Sequence, residues 1–192
     1  MAARSSYPKG VRKREEILDV ALEVFADEGY RGTSLRTVAS RCALTVAGVM
    51  HYFESREDLL TQIVVRRDRA SRETGLDGDD PRGLVDVIRE NAKQPGLVEL
   101  FVSLTAAARH HDHPAHDVLA HRYADMRSTL AHAVVERQDS GEIPAHLSPD
   151  ELARLIIAVA DGAQLQWMVD DLASLDGPLA TLLYDILRLP RE

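Results

Sequence analysis

Thr33-Ser34-Leu35-Arg36-Thr37-Val38-Ala39-Ser40-Arg41-Cys42-Ala43-Leu44-Thr45-Val46-Ala47-Gly48-Val49-Met50-His51-Tyr52-Phe53 is the most informative stretch of the chain. Leu35, Val38, Ala39 and Cys42 fall at the three- and four-residue steps of one helical face. Thr33 and Ser34 precede that stripe with hydroxyls suited to an N-cap. After a three-residue turn, Thr45 can cap a second, short helix running to about Phe53. Leu35, Val38, Ala39, Leu44, Val49 and Phe53 can then share a small core, which leaves the opposite face of the second helix free.

That free face begins Thr45-Val46-Ala47-Gly48. Small residues at a helix start allow close approach to a surface, and the unpaired amides there favour anions such as phosphate. A recognition helix in a DNA major groove needs both properties. His51, Tyr52 and Arg56 can donate to phosphates further along, and Thr33, Ser34 and Arg36 from the preceding helix. By spacing alone the pattern is also that of two short amphipathic helices in an ordinary bundle.

Upstream, the first 14 residues carry Arg4, Lys9, Arg12, Lys13 and Arg14 and no acid. The whole chain has a net charge of −8, which speaks against a polyanion partner, but the charge is unevenly spread. Residues 1–67 hold 11 basic and 9 acidic residues, whereas residues 68–192 hold 12 and 22. The N-terminal part thus suits a polyanion and the remainder is acidic. A solvated basic tail would give the same imbalance, so charge alone leaves both readings open.

Composition sets the outer bounds. A chain of 192 residues, 45% of them apolar, can build one domain or two small ones with a packed core. No run approaches the roughly 18–20 apolar residues of a membrane helix. The N-terminus has no apolar stretch after its basic residues, so no secretory signal is read there. Cys42 is the one cysteine, which excludes an internal disulfide framework and a multi-cysteine metal site. The expectation is a cytoplasmic protein without a membrane partner.

The remaining pattern is helical throughout. Ile17, Ala21, Val24 and Phe25 form a stripe that Gly29 can stop in a left-handed conformation. Ser55 can cap a fourth helix to about Arg72, with Asp58 at the capping-box position. Residues 74–83, rich in Gly and Asp with one Pro, read as a boundary. A calcium loop from Asp77, Asp79 and Asp80 lacks the regular ligand spacing and distal Glu that such a loop needs. Further helices are expected over 84–91, 96–109, 115–137, 149–171 and 178–189. The expected fold is all-α with about nine helices.

The residues Arg14-Glu-Glu-Ile17-Leu18-Asp-Val-Ala21-Leu-Glu-Val-Phe25-Ala-Asp-Glu-Gly29-Tyr30-Arg-Gly-Thr33-Ser34 resemble the first helix and turn of TetR/AcrR-family transcriptional regulators. Val38-Ala39, Leu44-Thr45 and His51-Tyr52-Phe53-Glu-Ser55-Arg56-Glu57-Asp-Leu59-Leu60 continue the resemblance in register. It covers about residues 11–65 closely, and Ala160-Asp161-Gly162-Ala-Gln164-Leu165-Gln166-Trp167 extends it more weakly. The chain departs from the family in having Ala43 where Gly is frequent in the turn. It also has Met50 where a phosphate-binding Tyr is frequent, and Arg56 in place of Lys. The family's phosphate contact is not carried over to Met50.

The resemblance implies a homodimeric repressor of double-stranded operator DNA. Residues 11–66 would form the helix-turn-helix domain, with the motif itself over about 34–53. Residues 84–189 would form an effector-binding and dimerisation bundle, and no cofactor is implied. Candidate lining residues for a small effector are Phe101, Leu104, Thr105, Tyr123, Met126, Gln164 and Met168. Candidate dimer residues are Leu155, Val159, Gly162, Trp167, Leu179, Leu183 and Ile186. Two such recognition helices would lie about one DNA turn apart, so the operator would be a pseudo-palindrome. Val46, Ala47 and Gly48 are poor hydrogen-bonders, so base readout would rest more on van der Waals contact, shape and the basic arm.

Other conspicuous residues receive plainer readings. His110, His111, His113 and His116 could suggest a zinc or nickel site, but they lack a Cys or carboxylate partner at defined spacing and suit a polar interhelical loop. Cys42, on an apolar stripe, reads as a small buried hydrophobe rather than a redox switch. Ser103 and Thr105 lack a nucleophile elbow or phosphate loop, so no enzyme is expected. The competing functional reading is a dimeric helical ligand-binding or scaffold protein without specific DNA binding, because the third helix carries few polar side chains.

Overall fold

The computed structural model describes residues 8–32, 35–73, 80–170 and 173–190. All regular elements among them are helical, as the periodicity requires. They are α1 (Pro8–Gly32), α2 (Leu35–Arg41), α3 (Val46–Met50), α4 (Arg56–Glu73), α5 (Pro81–Asn91), α6 (Pro95–Ala107), α7 (His116–Asp139), α8 (Pro149–Trp167) and α9 (Gly177–Ala180). A π-helical segment, Thr181–Ile186, continues α9. No helix among the described residues is long and apolar enough to cross a membrane.

The chain forms two compact units, Met1–Ala70 with Gln94–His116, and Ser71–Lys93 with Asp117–Glu192. In the first, Ile17, Ala21, Val24 and Phe25 of α1 are buried with Val38 and Ala39 of α2, Val49 of α3, and Leu59, Leu60 and Ile63 of α4. Burying these side chains is worth roughly 1.5–3 kcal/mol for each large one. α6 also belongs to this unit and packs on α1. The contact is so close that a Cβ on Gly96 would collide with the Phe25 carbonyl oxygen and stand 2.5 Å from the Gly29 Cα. Gly29 itself has φ 75° and ψ 172°, so it breaks the helical run before helical backbone resumes to Gly32.

In the second unit, Leu84, Val85 and Ile88 of α5 are buried with Leu130 and Val134 of α7 and Ile156 and Ala160 of α8. Asp80 is the N-cap of α5 and accepts from the Arg82 backbone N–H at 2.7 Å. Its other oxygen accepts from buried Arg137 of α7. The weak calcium reading of Asp80 therefore gives way to a helix cap and an ion pair, while Asp77 and Asp79 lie outside the described residues.

Two elements differ from the sequence expectation. α8 ends at Trp167, four residues before the expected Asp171, and a turn follows in which Val169 N–H donates to the Gln166 carbonyl. Acidic Asp170, just past this end, opposes the negative end of the helix dipole, which favours an earlier stop, and Asp171 lies outside the described residues. The expected single helix over 178–189 is instead one α turn followed by the π segment. Leu182 and Leu183 are both buried on it.

Candidate nucleic-acid interface

α2 and α3 meet at a turn made by Ala43, which takes a left-handed φ of 53°. Thr45 then caps α3 as expected, accepting from Gly48 N–H through Oγ1 at 3.0 Å. Val49 is fully buried and pins one side of the short helix to the core. Thr45, Val46 and Ala47 are exposed on the other side, and Gly48 is half-buried. Burial on one face thus leaves the small residues of the other face exposed.

α3 is shorter than expected and ends at Met50. The ladder tightens beyond it: Tyr52 N–H donates to Val49 and Phe53 N–H to Met50, three residues back instead of four. This tightening turns Phe53 into the core, where Arg14 sits 5.1 Å over its ring. His51 stays exposed and Tyr52 half-buried. Ser55 caps α4 by accepting from Asp58 N–H at 3.0 Å. The Asp58 carboxylate reaches back to Glu54 N–H rather than to Ser55, so the cap box is displaced by one residue.

The supporting charges are ordered around this unit. Lys13 of α1 donates to the Cys42 carbonyl at 3.0 Å and pairs with Glu16, closing the C-terminal end of α2. The Glu16 hydrogen bond holds the Lys13 ammonium above its usual range. Burial pushes the Cys42 thiol up, as expected of a small core residue rather than a reactive thiol. Arg66 of α4 joins Asp19 at 2.7 Å and Glu15 at 3.5 Å on α1. Arg36 and Arg56 are exposed. Thr33 and Ser34 lie outside the described residues. A polar cleft beside α3 is lined in part by Arg14, His51, Tyr52, Glu54 and Asp58, a set of mixed charge.

The effector candidates fall in both compact units. Phe101 and Leu104 are buried in the first, and Thr105 Oγ1 is buried there with no hydrogen-bond partner among the described residues. In the second, Gln164 is buried, Tyr123 and Met126 are half-buried and Met168 is exposed. Tyr123 donates its hydroxyl to Asp161 at 2.8 Å. Burial pushes the Asp161 carboxyl above its usual range, against the Tyr123 hydrogen bond and the charge of Arg122. Sequence reasoning passed over Asp161, although an acid inside the apolar run of α8 was the available signal.

The dimer candidates also divide. Leu155 and Ile186 are exposed, Val159, Gly162 and Trp167 are half-buried, and a Cβ on Gly162 would meet nothing within 4 Å. Leu179 and Leu183 are fully buried in their own unit and form part of its core, not an outer face. Exposed Leu165 and Val169 share the outer side of α8 and its following turn. In the histidine segment, His116 Nδ1 lies 2.8 Å from the Ala108 carbonyl and His113 Nδ1 accepts from Ala115 N–H. Among the described residues no three His, Cys, Asp or Glu side chains converge as a metal set.

The comparisons agree with this arrangement. Residues 17–63 match the family described as bacterial regulatory proteins, tetR family, and residues 82–184 match the BetI-type transcriptional repressor, C-terminal family. The chain is 26% identical over 159 residues to the HTH-type transcriptional repressor AcnR of Corynebacterium glutamicum, covering 80% of this chain and 81% of the relative. It is 22% identical over 165 residues to the HTH-type transcriptional regulator UidR of Escherichia coli K12, covering 83% and 84%. A solved TetR-family regulator from Rhodococcus sp. superposes with a TM-score of 0.66 at 26% identity, over 92% of this chain and 97% of that one. With the helix-turn-helix geometry above, these matches make the chain a DNA-binding transcriptional regulator of the TetR/AcrR family.

Proposed function

We propose that the chain is a repressor that holds a pseudo-palindromic operator as a homodimer and releases it when a small molecule occupies its C-terminal part. Residues 11–66 serve as the DNA-binding domain and residues 84–189 as the effector and dimer domain. The observation that carries the reading is the split of α3 between fully buried Val49 and exposed Thr45, Val46 and Ala47. It leaves a cap and a small-residue surface for the major groove. Exposed Arg36, His51 and Arg56 supply phosphate contacts, with Tyr52 beside them. The working location is the cytoplasm, on the nucleoid.

The dimer face is the outer side of α8. Leu155 and Leu165 are exposed apolar residues of α8, Ile186 is exposed on the π-helical segment, and a Cβ on Gly162 would meet nothing within 4 Å, which leaves room for a partner helix. Effector and operator oppose each other by about 1–3 kcal/mol, reciprocally.

An anisotropy titration against DNA upstream of the gene, with unrelated competitor, tests the reading. The expected result is retention of one fragment about 10³-fold or more over competitor. Sequence-indifferent binding there and in a genome-wide selection would overturn it in favour of a helical ligand-binding protein.

A further inference from the structure

Several acids of the second compact unit are paired with guanidinium groups. Asp80 meets Arg137 and Arg82, and Asp176 meets Arg89 at 2.9 Å. Asp161 differs: it accepts from the Tyr123 hydroxyl at 2.8 Å and from Gln164 Nε2 at 3.5 Å. Among the described residues no basic nitrogen lies within the 4.0 Å ion-pair distance of its carboxylate. An ionised carboxylate offers about four acceptor positions, and these two hydrogen bonds leave others open. Asp161 is half-buried, and this partial desolvation pushes its carboxyl above the usual range against the Tyr123 hydrogen bond and the charge of Arg122.

The surrounding residues narrow the chemistry. Gln164 is three residues and Met168 seven residues beyond Asp161, so all three lie towards one side of α8 and its C-cap. Met126 is three residues from Tyr123 on α7. One face of the Tyr123 ring is already occupied by the Arg122 guanidinium at 5.9 Å. A quaternary ammonium ion, which binds through aromatic faces, is therefore poorly served. An ammonium group with N–H donors meets open carboxylate lone pairs instead.

We propose that Asp161, framed by Tyr123 and Gln164, is the anchor for a protonated alkylamine, and that this is the effector class the regulator senses. The inference rests on the effector reading above and assigns it a chemistry. Asp161 supplies the counter-charge, and the thioether side chains of Met126 and Met168 suit an alkyl body.

The test uses the full chain and three probes: hexylamine, hexan-1-ol and tetramethylammonium. Trp167 is the sole tryptophan and lies on the same helix as Asp161, so its fluorescence reports binding. The expected result is saturable binding of hexylamine, with the alcohol and the quaternary ion at least roughly tenfold weaker. Asp161→Asn should lose about tenfold or more in hexylamine affinity while keeping its helical circular dichroism. If that variant fails to fold, Tyr123→Phe and the comparison of probes on the wild type carry the test. Equal binding of amine and alcohol, or no amine binding, overturns the proposal and leaves Asp161 as a bracket between α7 and α8. Operator binding is measured separately. Retention of the operator with no response to hexylamine removes the amine inference alone, whereas absence of any specific operator removes the regulator reading.

Discussion

The guanidinium carbon of Arg67 lies 5.5 Å from the centroid of the Phe101 ring. Arg67 is nearly buried on α4, and its Nη1 also donates to the Leu97 carbonyl at 3.4 Å. The helix that leaves the helix-turn-helix is thereby joined to α6, which carries three effector candidates. Arg67→Ala should lower stability by about 1–2 kcal/mol through lost stacking and stem packing. Urea unfolding measures this, and Arg67→Lys should recover only part, because an ammonium lacks the flat stacking surface. Full recovery by Lys would mean that charge alone matters there.

Ala43 holds a φ of 53°, a conformation that costs a residue with a Cβ about 1–2 kcal/mol. Ala43→Gly removes that strain at the expense of a more flexible unfolded chain. A net gain of about 0.5–1 kcal/mol is expected as a higher urea midpoint with an unchanged slope. A lower midpoint would show that the turn carries no strain worth relieving.

Arg36 is exposed on α2, ahead of the recognition helix. If it neutralises one phosphate, Arg36→Ala weakens binding across sequences and lowers the salt slope of log K by about one. An unchanged slope in titrations from low to moderate salt would take Arg36 out of the interface.

Acid should loosen the second unit through Asp80. Burial alone would raise its pKa, but hydrogen bonds from Arg82 and the charges of Arg137 and Arg82 outweigh this and hold it below the usual range. The unfolded chain then binds a proton more readily than the fold. The stabilisation is present above the ordinary carboxylate value near about 3.9 and is lost as pH falls towards the lower, folded value. Asp176, held down by Ser174 and Arg89 against its own burial, acts with the same sign. The melting temperature of the wild type should fall below about pH 4, and Asp80→Asn should show a shallower acid limb. Parallel limbs would assign the acid sensitivity to other carboxylates.

Much of the interface was legible in the sequence because its determinants are local. The caps at Thr45 and Ser55 and the positive φ at Gly29 are hydrogen-bond and steric choices made within a few residues. The buried stripe from Ile17 to Phe25 follows from helical period alone. The displaced cap box at Asp58 was less legible, since Asp is one methylene shorter than Glu and binds a different amide.

The sequence by itself determined the helical class and the small-residue face, because periodicity and capping state which side of each helix is apolar and where it begins; the helix-turn-helix was legible through the family resemblance of residues 11–65. Only the tertiary structure decided what covers each apolar side. It placed α6 on α1 through Gly96 and sent Leu179 and Leu183 into their own unit's core instead of an outer face. It also half-buried Asp161 against the Tyr123 hydroxyl, with no ion pair to it among the described residues. A stripe records that burial is favourable but carries no address for its partner, and the cost of burying a charge depends on neighbours that only the folded chain assembles.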